Sequence, residues 1–223
     1  MSQPARFEVE NGVATLHMDD GKANAYGPDM IRALSEGLGR ATKEARAVVI
    51  TGRPGVFCAG FDLRIIRGDD TDAAAAMRSA GKALLLEAYL HPQPLVMACT
   101  GHALAAGALL LLTGDYRIAA AGDFKLGLNE TAIGLSLPPF GLELARDRLQ
   151  PTALTRATVT ANIYDPAGAL AAGYVDEICP PDDVALTAQK TAERLGELGP
   201  EALAATKRRL RQPTVDRILA AGR

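Results

Sequence analysis

The chain has 223 residues, with 24 Lys and Arg against 26 Asp and Glu for a formal net charge of -2; it is 48% hydrophobic, 22% charged and 4% aromatic, with no Trp. This length suits one large domain, and the apolar share excludes disorder as the main state. The balanced charge, without a long basic run, excludes a nucleic-acid surface and points to a small-molecule partner.

Residues 1–6 are polar and lack a basic-then-apolar run, so no signal peptide is expected and the setting reads as cytoplasmic and reducing. Residues 7–10 and 13–18 alternate around Asn11-Gly12, a dipeptide that specifies a two-residue hairpin turn. Pro28 opens a helix whose apolar positions Met30, Ile31, Leu34 and Leu38 share one face, followed by a buried-type strand over 46–51. A second helix shows Met77, Ala80, Leu84 and Ala88 at helical spacing.

Residues 94–114 carry no formal charge and are long enough to span a bilayer. The break at Thr100-Gly101-His102 divides them into a buried strand over 94–99 and a buried Ala/Leu helix over 103–112, so no membrane span is expected. A strand follows at 116–119, and from Pro138 onward the pattern is mostly helical, with segments near 139–149, 151–161, 166–172, 183–198 and 200–211. Strands alternating with helices give an α/β layered or spiral fold built from ββα-like units. No Gly/Ser linker interrupts it, so residues 1–198 read as a core with a helical extension and 199–223 as a short C-terminal helical segment.

Cys58, Cys99 and Cys179 are too far apart for a metal knuckle or a disulfide framework, and His17, His91 and His102 show no ligand spacing, so no metal is expected. Gly134-Leu-Ser136-Leu-Pro138 ends in Pro where a nucleophile turn needs a second small residue, and no phosphate-binding glycine pattern is present. Three features remain. Two strands run into Gly- and Ala-rich turns, Phe57-Cys-Ala-Gly-Phe-Asp-Leu63 and Gly101-His-Ala-Leu-Ala-Ala-Gly107. Small side chains leave backbone amides free to hold an oxyanion there, or else allow tight strand–helix packing; both readings stand. Glu130 is the only acid between Asp123 and Glu143, and its apolar neighbours would raise its pKa as a general base requires; a first-turn helix glutamate is the alternative.

At these residues the sequence resembles the crotonase superfamily, the enoyl-CoA hydratases and isomerases. The two Gly/Ala turns look like its oxyanion loops, the second together with Asp115-Tyr-Arg-Ile-Ala119, and Gly127-Leu-Asn-Glu-Thr-Ala-Ile-Gly134 looks like its catalytic-glutamate segment. The resemblance implies a crotonase-like spiral with oxyanion amides from Phe61 and Ala106, and Glu130 as the acid/base. It implies coenzyme A contacts from Lys22, Ala23, Asn24, Ala25, Ala59 and Gly60, no cofactor beyond the coenzyme A of the substrate, and a homotrimer or a dimer of trimers. Candidate acyl-pocket residues are Ile65, Ile66, Met77, Leu84, Leu109, Leu135 and Phe140.

Family hydratases carry a second glutamate where this chain has Leu109, and that departure, with the G-L-N-E-T segment, resembles the Δ3,Δ2-enoyl-CoA isomerase branch. The resemblance therefore implies movement of a double bond from C3 to C2 of an acyl-CoA thioester. Hydration, thioester hydrolysis and low-turnover acyl-CoA binding are the alternatives. Ala106 stands where the family has Gly, which would crowd the oxyanion hole unless its φ is negative. The chain ends at Arg223, where relatives continue through another helical segment. The basic stretch Lys207-Arg-Arg-Leu-Arg211 is expected to be a solvated helix face, or to contact coenzyme A phosphates across a subunit interface.

Overall fold

The computed structural model describes residues 4–221, and the expectations that touch 1–3 and 222–223 lie outside the described residues. Strands β1 (Ala5–Glu10) and β2 (Val13–Met18) form the expected hairpin. Asn11 and Gly12 both take positive φ, 51° and 78°, as a type I′ turn demands. Helix α1 (Pro28–Glu44) starts with proline at its first position and buries Met30, Ile31, Leu34 and Leu38. Then come β3 (Ala47–Thr51), β4 (Gly55–Cys58), the single-turn α2 (Leu63–Ile66) and α3 (Thr71–Tyr89). α3 buries Ala74, Met77, Gly81, Leu84, Leu85 and Ala88. Ala80, expected on that face, is exposed.

The uncharged run becomes β5 (Leu95–Cys99), β6 (Gly101–Leu104) and α4 (Ala106–Leu112). The helix is thus shorter than expected, because Ala103 and Leu104 join a strand ladder instead. β7 (Tyr116–Ala120), the two-residue β8 (Leu126–Gly127), α5 (Pro139–Arg148), α6 (Leu154–Thr158) and α7 (Pro166–Ala172) follow. The last elements are β9 (Glu177–Cys179), α8 (Val184–Gly196) and α9 (Pro200–Ala220). α6 is shorter than the expected 151–161, and β9 lies between the expected helical segments 166–172 and 183–198, where no strand was expected. α9 runs past 211 through Pro213, which removes an amide donor and crowds the preceding turn. Buried anchors on both sides, Lys207 and Arg211 before it and Thr214, Val215 and Ile218 after it, hold the helix continuous.

The strands make two sheets. The larger has the order β1-β2-β3-β5-β7-β9, antiparallel only between β1 and β2, and the smaller is the parallel trio β4-β6-β8. Consecutive strands alternate between them: β3, β5 and β7 enter the large sheet, and β4, β6 and β8 the small one. Each turn of this spiral is a ββα unit. The central strands β3 and β5 are buried on both faces, which explains their continuous apolar runs, whereas the edge strand β1 is largely exposed. Val48, Ile50, Leu95 and Met97 face the main core, whereas Val49, Val96, Ala98 and Ile118 pack with Val184, Ala188 and Ala192 of α8. Among the described residues no helix is long and apolar enough to cross a membrane.

Candidate active site

All three features singled out in the sequence lie just past the carboxyl ends of the small-sheet strands. β4 ends at Cys58 and leads to Gly60 and Phe61; β6 ends at Leu104 and leads to Ala105 and Ala106; β8 ends at Gly127 and leads to Glu130. Parallel register puts the three carboxyl ends on one edge of the sheet, the usual location of a ligand site in α/β folds. The first two turns touch. Gly60 has φ 96°, and a Cβ there would lie 2.9 Å from the Ala105 Cβ and 3.3 Å from the Ala106 nitrogen. Gly107 lets α4 meet β4, since a Cβ on it would sit 2.1 Å from the Cys58 carbonyl oxygen. The amides of Phe61 and Ala106 have no acceptor among the described residues. Ala106 opens α4 with helical backbone, so its Cβ does not crowd the turn; the left-handed residue is its neighbour Ala105, at φ 50° and ψ −124°.

These turns border a pocket of about 460 Å³ that contains Glu130. Glu130 is not in the first turn of an α-helix: it precedes a three-residue 3-10 turn, Thr131–Ile133, and its carbonyl accepts from Ile133 and Leu135. Its side chain is 8% exposed and its Oε2 has no partner. Burial raises its pKa from 4.5 to about 6, slightly opposed by a hydrogen bond from its own amide. A carboxyl poised there is a proton acceptor near neutral pH. The adjacent Asn129 also lines the pocket, and its buried Oδ1 is unpartnered.

Of the expected acyl-pocket residues, Ile66, Leu109, Leu135 and Phe140 line this pocket. Ile65, Met77 and Leu84 do not. Ile65 packs against the main core, and Met77 and Leu84 border a separate apolar groove between α1 and α3, because they lie on the side of α3 turned toward α1. Leu63, Arg78, Ile133 and Ser136 are among the further wall residues that the sequence did not single out for the pocket. Their only sequence signal is proximity to the two loops, and Arg78 has none.

The segment expected along coenzyme A is a rigid turn. Asp20 accepts from the amides of Lys22 and Asn24, both at 2.8 Å, and of Ala25 at 3.0 Å. Asn24 is fully buried: its Nδ2 donates to the Met18, Val56 and Phe57 carbonyls and its Oδ1 accepts from Asp20. Its side chain therefore ties the hairpin to β4 and is not free for a ligand. Lys22, Ala23 and Ala59 are exposed, and the Ala59 amide donates to the Ala23 carbonyl, so the two expected coenzyme A segments adjoin.

The basic stretch of α9 fits neither expectation in full. Arg208 and Arg209 are exposed, but Lys207 and Arg211 are buried. Lys207 donates to the His91 and Gln93 carbonyls and pairs with Asp115, which Arg211 also meets at 2.9 Å. Arg211 further donates to the Tyr89 and Thr113 carbonyls, and Arg148 to those of Leu112 and Gly114. These cations satisfy carbonyls at the carboxyl ends of α3 and α4. Among the described residues no group of three or more His, Cys, Asp or Glu side chains converges as a metal site would require.

The family profile described as enoyl-CoA hydratase/isomerase matches residues 8–223. The chain belongs to that family. Rat mitochondrial enoyl-CoA delta isomerase 1 is 30% identical over 216 residues, spanning 95% of this chain and 75% of the relative. The probable enoyl-CoA hydratase EchA17 of Mycobacterium tuberculosis is 33% identical over 202 residues, spanning 88% and 76%. The apo structure of an enoyl-CoA isomerase from M. tuberculosis superposes with a TM-score of 0.94 at 40% identity, covering 99% of this chain and 96% of that one. The spiral is thus the crotonase fold. Relatives described as isomerases and as hydratases are similarly close, so similarity alone assigns an enoyl-CoA hydratase/isomerase-family enzyme without choosing the reaction.

Proposed function

We propose that this protein is an enoyl-CoA isomerase that moves a double bond from C3 to C2 of a fatty-acyl-type CoA thioester. The observation that carries the reading is that Glu130 is the only carboxylate among the described residues lining the pocket, with Leu109 on the wall where a hydratase would hold a second acid. Adding water calls for one group to activate the water and another to protonate the α-carbon. Shifting a double bond needs a single group that takes a proton and gives it back.

In this reading the thioester carbonyl accepts from the Phe61 and Ala106 amides, and Glu130 removes a proton from C2. The electron pair delocalises through the carbonyl as a dienolate, whose oxygen charge the two amides hold. Glu130 then returns the proton at C4, the double bond closes between C2 and C3, and no water is consumed. Removing one oxyanion donor typically costs about 3–4 kcal/mol of barrier, and a positioned base contributes about 10²–10⁴-fold. Coenzyme A enters with the substrate, along Lys22, Ala23 and Ala59. A cytoplasmic, reducing setting belongs to the same reading and is supported by three free thiols. A homotrimer or a dimer of trimers belongs to it as well.

The test follows 3-hexenoyl-CoA to the conjugated 2-enoyl thioester by absorbance, with wild type beside Glu130→Gln. Turnover that disappears in the variant while ester binding persists supports the reading. Product carrying one added water replaces it with a hydratase, and binding without any turnover replaces it with an acyl-CoA-binding role.

A further inference from the structure

The pocket wall is apolar along most of its length, with Leu63, Ile66, Ile133, Leu135 and Phe140, yet it includes one cation, Arg78 of α3. Three residues further along α3, Gly81 supports the Phe61 ring: a Cβ there would come 2.6 Å from it. Arg78, an exposed residue, therefore borders the pocket beside the loop that carries Phe61. Among the described residues it forms no ion pair, whereas Arg64 of α2 is held by Asp62 at 2.7 Å.

An unpaired guanidinium on the wall of an acyl pocket is costly to cover with hydrocarbon, because a closing alkyl chain strips its water and returns no acceptor. A carboxylate at the far end of the chain removes that penalty, and the planar fork of an arginine matches it with two parallel hydrogen bonds. The apolar residues of the same wall would hold the methylenes. The charge arrangement is also consistent: among the described residues Glu130 is the sole acid on the wall, and the sole cation there offsets a second negative group.

We propose that Arg78 is a specificity-determining residue that selects acyl-CoA thioesters whose acyl chain ends in a carboxylate. This deepens the isomerase reading and rests on its assignment of the pocket to the acyl group.

The experiment compares 3-hexenoyl-CoA with the mono-CoA thioester of 3-hexenedioic acid, which differs by the terminal carboxylate, in wild type, Arg78→Leu and Arg78→Lys. The wild-type kcat/KM ratio is expected to favour the carboxylate substrate by about tenfold to a hundredfold, the range of a hydrogen bond to a charged group. The ratio should fall to about one in Arg78→Leu and to an intermediate value in Arg78→Lys. Equal wild-type values overturn the inference. So does an Arg78→Leu variant that lowers both substrates alike with the ratio kept, which would place the guanidinium on the shared coenzyme A portion. Calorimetric binding of hexanoyl-CoA and adipoyl-CoA, which cannot isomerise, separates this inference from the reaction. An Arg78-dependent preference for adipoyl-CoA supports it even if neither enoyl substrate turns over. Turnover of 3-hexenoyl-CoA with no preference in either assay overturns it and leaves the isomerase reading intact.

Discussion

Replacing Glu130 with Gln should make the protein more stable while removing its chemistry. The folded carboxyl has its pKa raised from 4.5 to about 6, so ionising it costs the fold about 2 kcal/mol at about 1.4 kcal/mol per tenfold change in proton affinity. A raised folded value means that the favourable, protonated form is fully present below 4.5 and is lost as pH rises through about 6. Glutamine keeps the shape and never ionises. The variant should therefore gain little relative to wild type at pH 4, and about 2 kcal/mol at pH 8. For a domain of this size that corresponds to about 4–8 °C in Tm. Urea or thermal melts of both proteins across that range read the difference directly. A stability difference that does not change with pH would refute the argument that Glu130 is held in a desolvated pocket. The same carboxyl should give kcat/KM an ascending limb with an apparent pKa of about 6.

Leu109→Glu puts a second carboxyl on the pocket wall and should yield product one water heavier by mass spectrometry, with lower stability at neutral pH; a product free of added water would count against a single-carboxylate basis for isomerisation. Ala105→Gly should relieve a left-handed alanine and raise stability by about 1–3 kcal/mol in urea melts, since glycine takes that conformation freely; no gain would show that the backbone there is unstrained. Asp115→Asn leaves Lys207 and Arg211 buried without their counter-charge and should cost about 3–5 kcal/mol by the same measurement. Trimeric assembly predicts a light-scattering mass of three chains, or of six for a dimer of trimers, and a monomer would refute it.

In the large sheet β3 and β5 could be read because they are continuous apolar runs bounded by turn residues, the hairpin because it alternates around Asn11-Gly12, and α1 because its burial follows helical spacing. The small sheet could not. β4, β6 and β8 have four, four and two residues, rich in Gly and Ala, and show no alternation of their own. They are held by register with one another, which a local pattern does not record. The consequence was an Ala/Leu helix placed too early, at 103. Glu130 stood out as an isolated acid, and the two loops as Gly/Ala runs after strands. Arg78 could not stand out, since one arginine on an exposed helix face resembles any other until the pocket forms beside it. Lys207 and Arg211 were hidden within a charge run, and only the distant carbonyls that they meet distinguish them from Arg208 and Arg209.

The parallel trio has an evolutionary corollary. In the proposed reaction two of its strand ends contribute main-chain groups of Phe61 and Ala106, held by turns that require glycine at 60 and 107, and the third contributes a side chain that a single codon can alter. In that reading carbonyl polarisation depends less on the side chains at Phe61 and Ala106 than the proton chemistry depends on the one at Glu130. Under the proposed function, such an architecture would let a lineage explore new reactions on one activated thioester without first rebuilding the means of activating it.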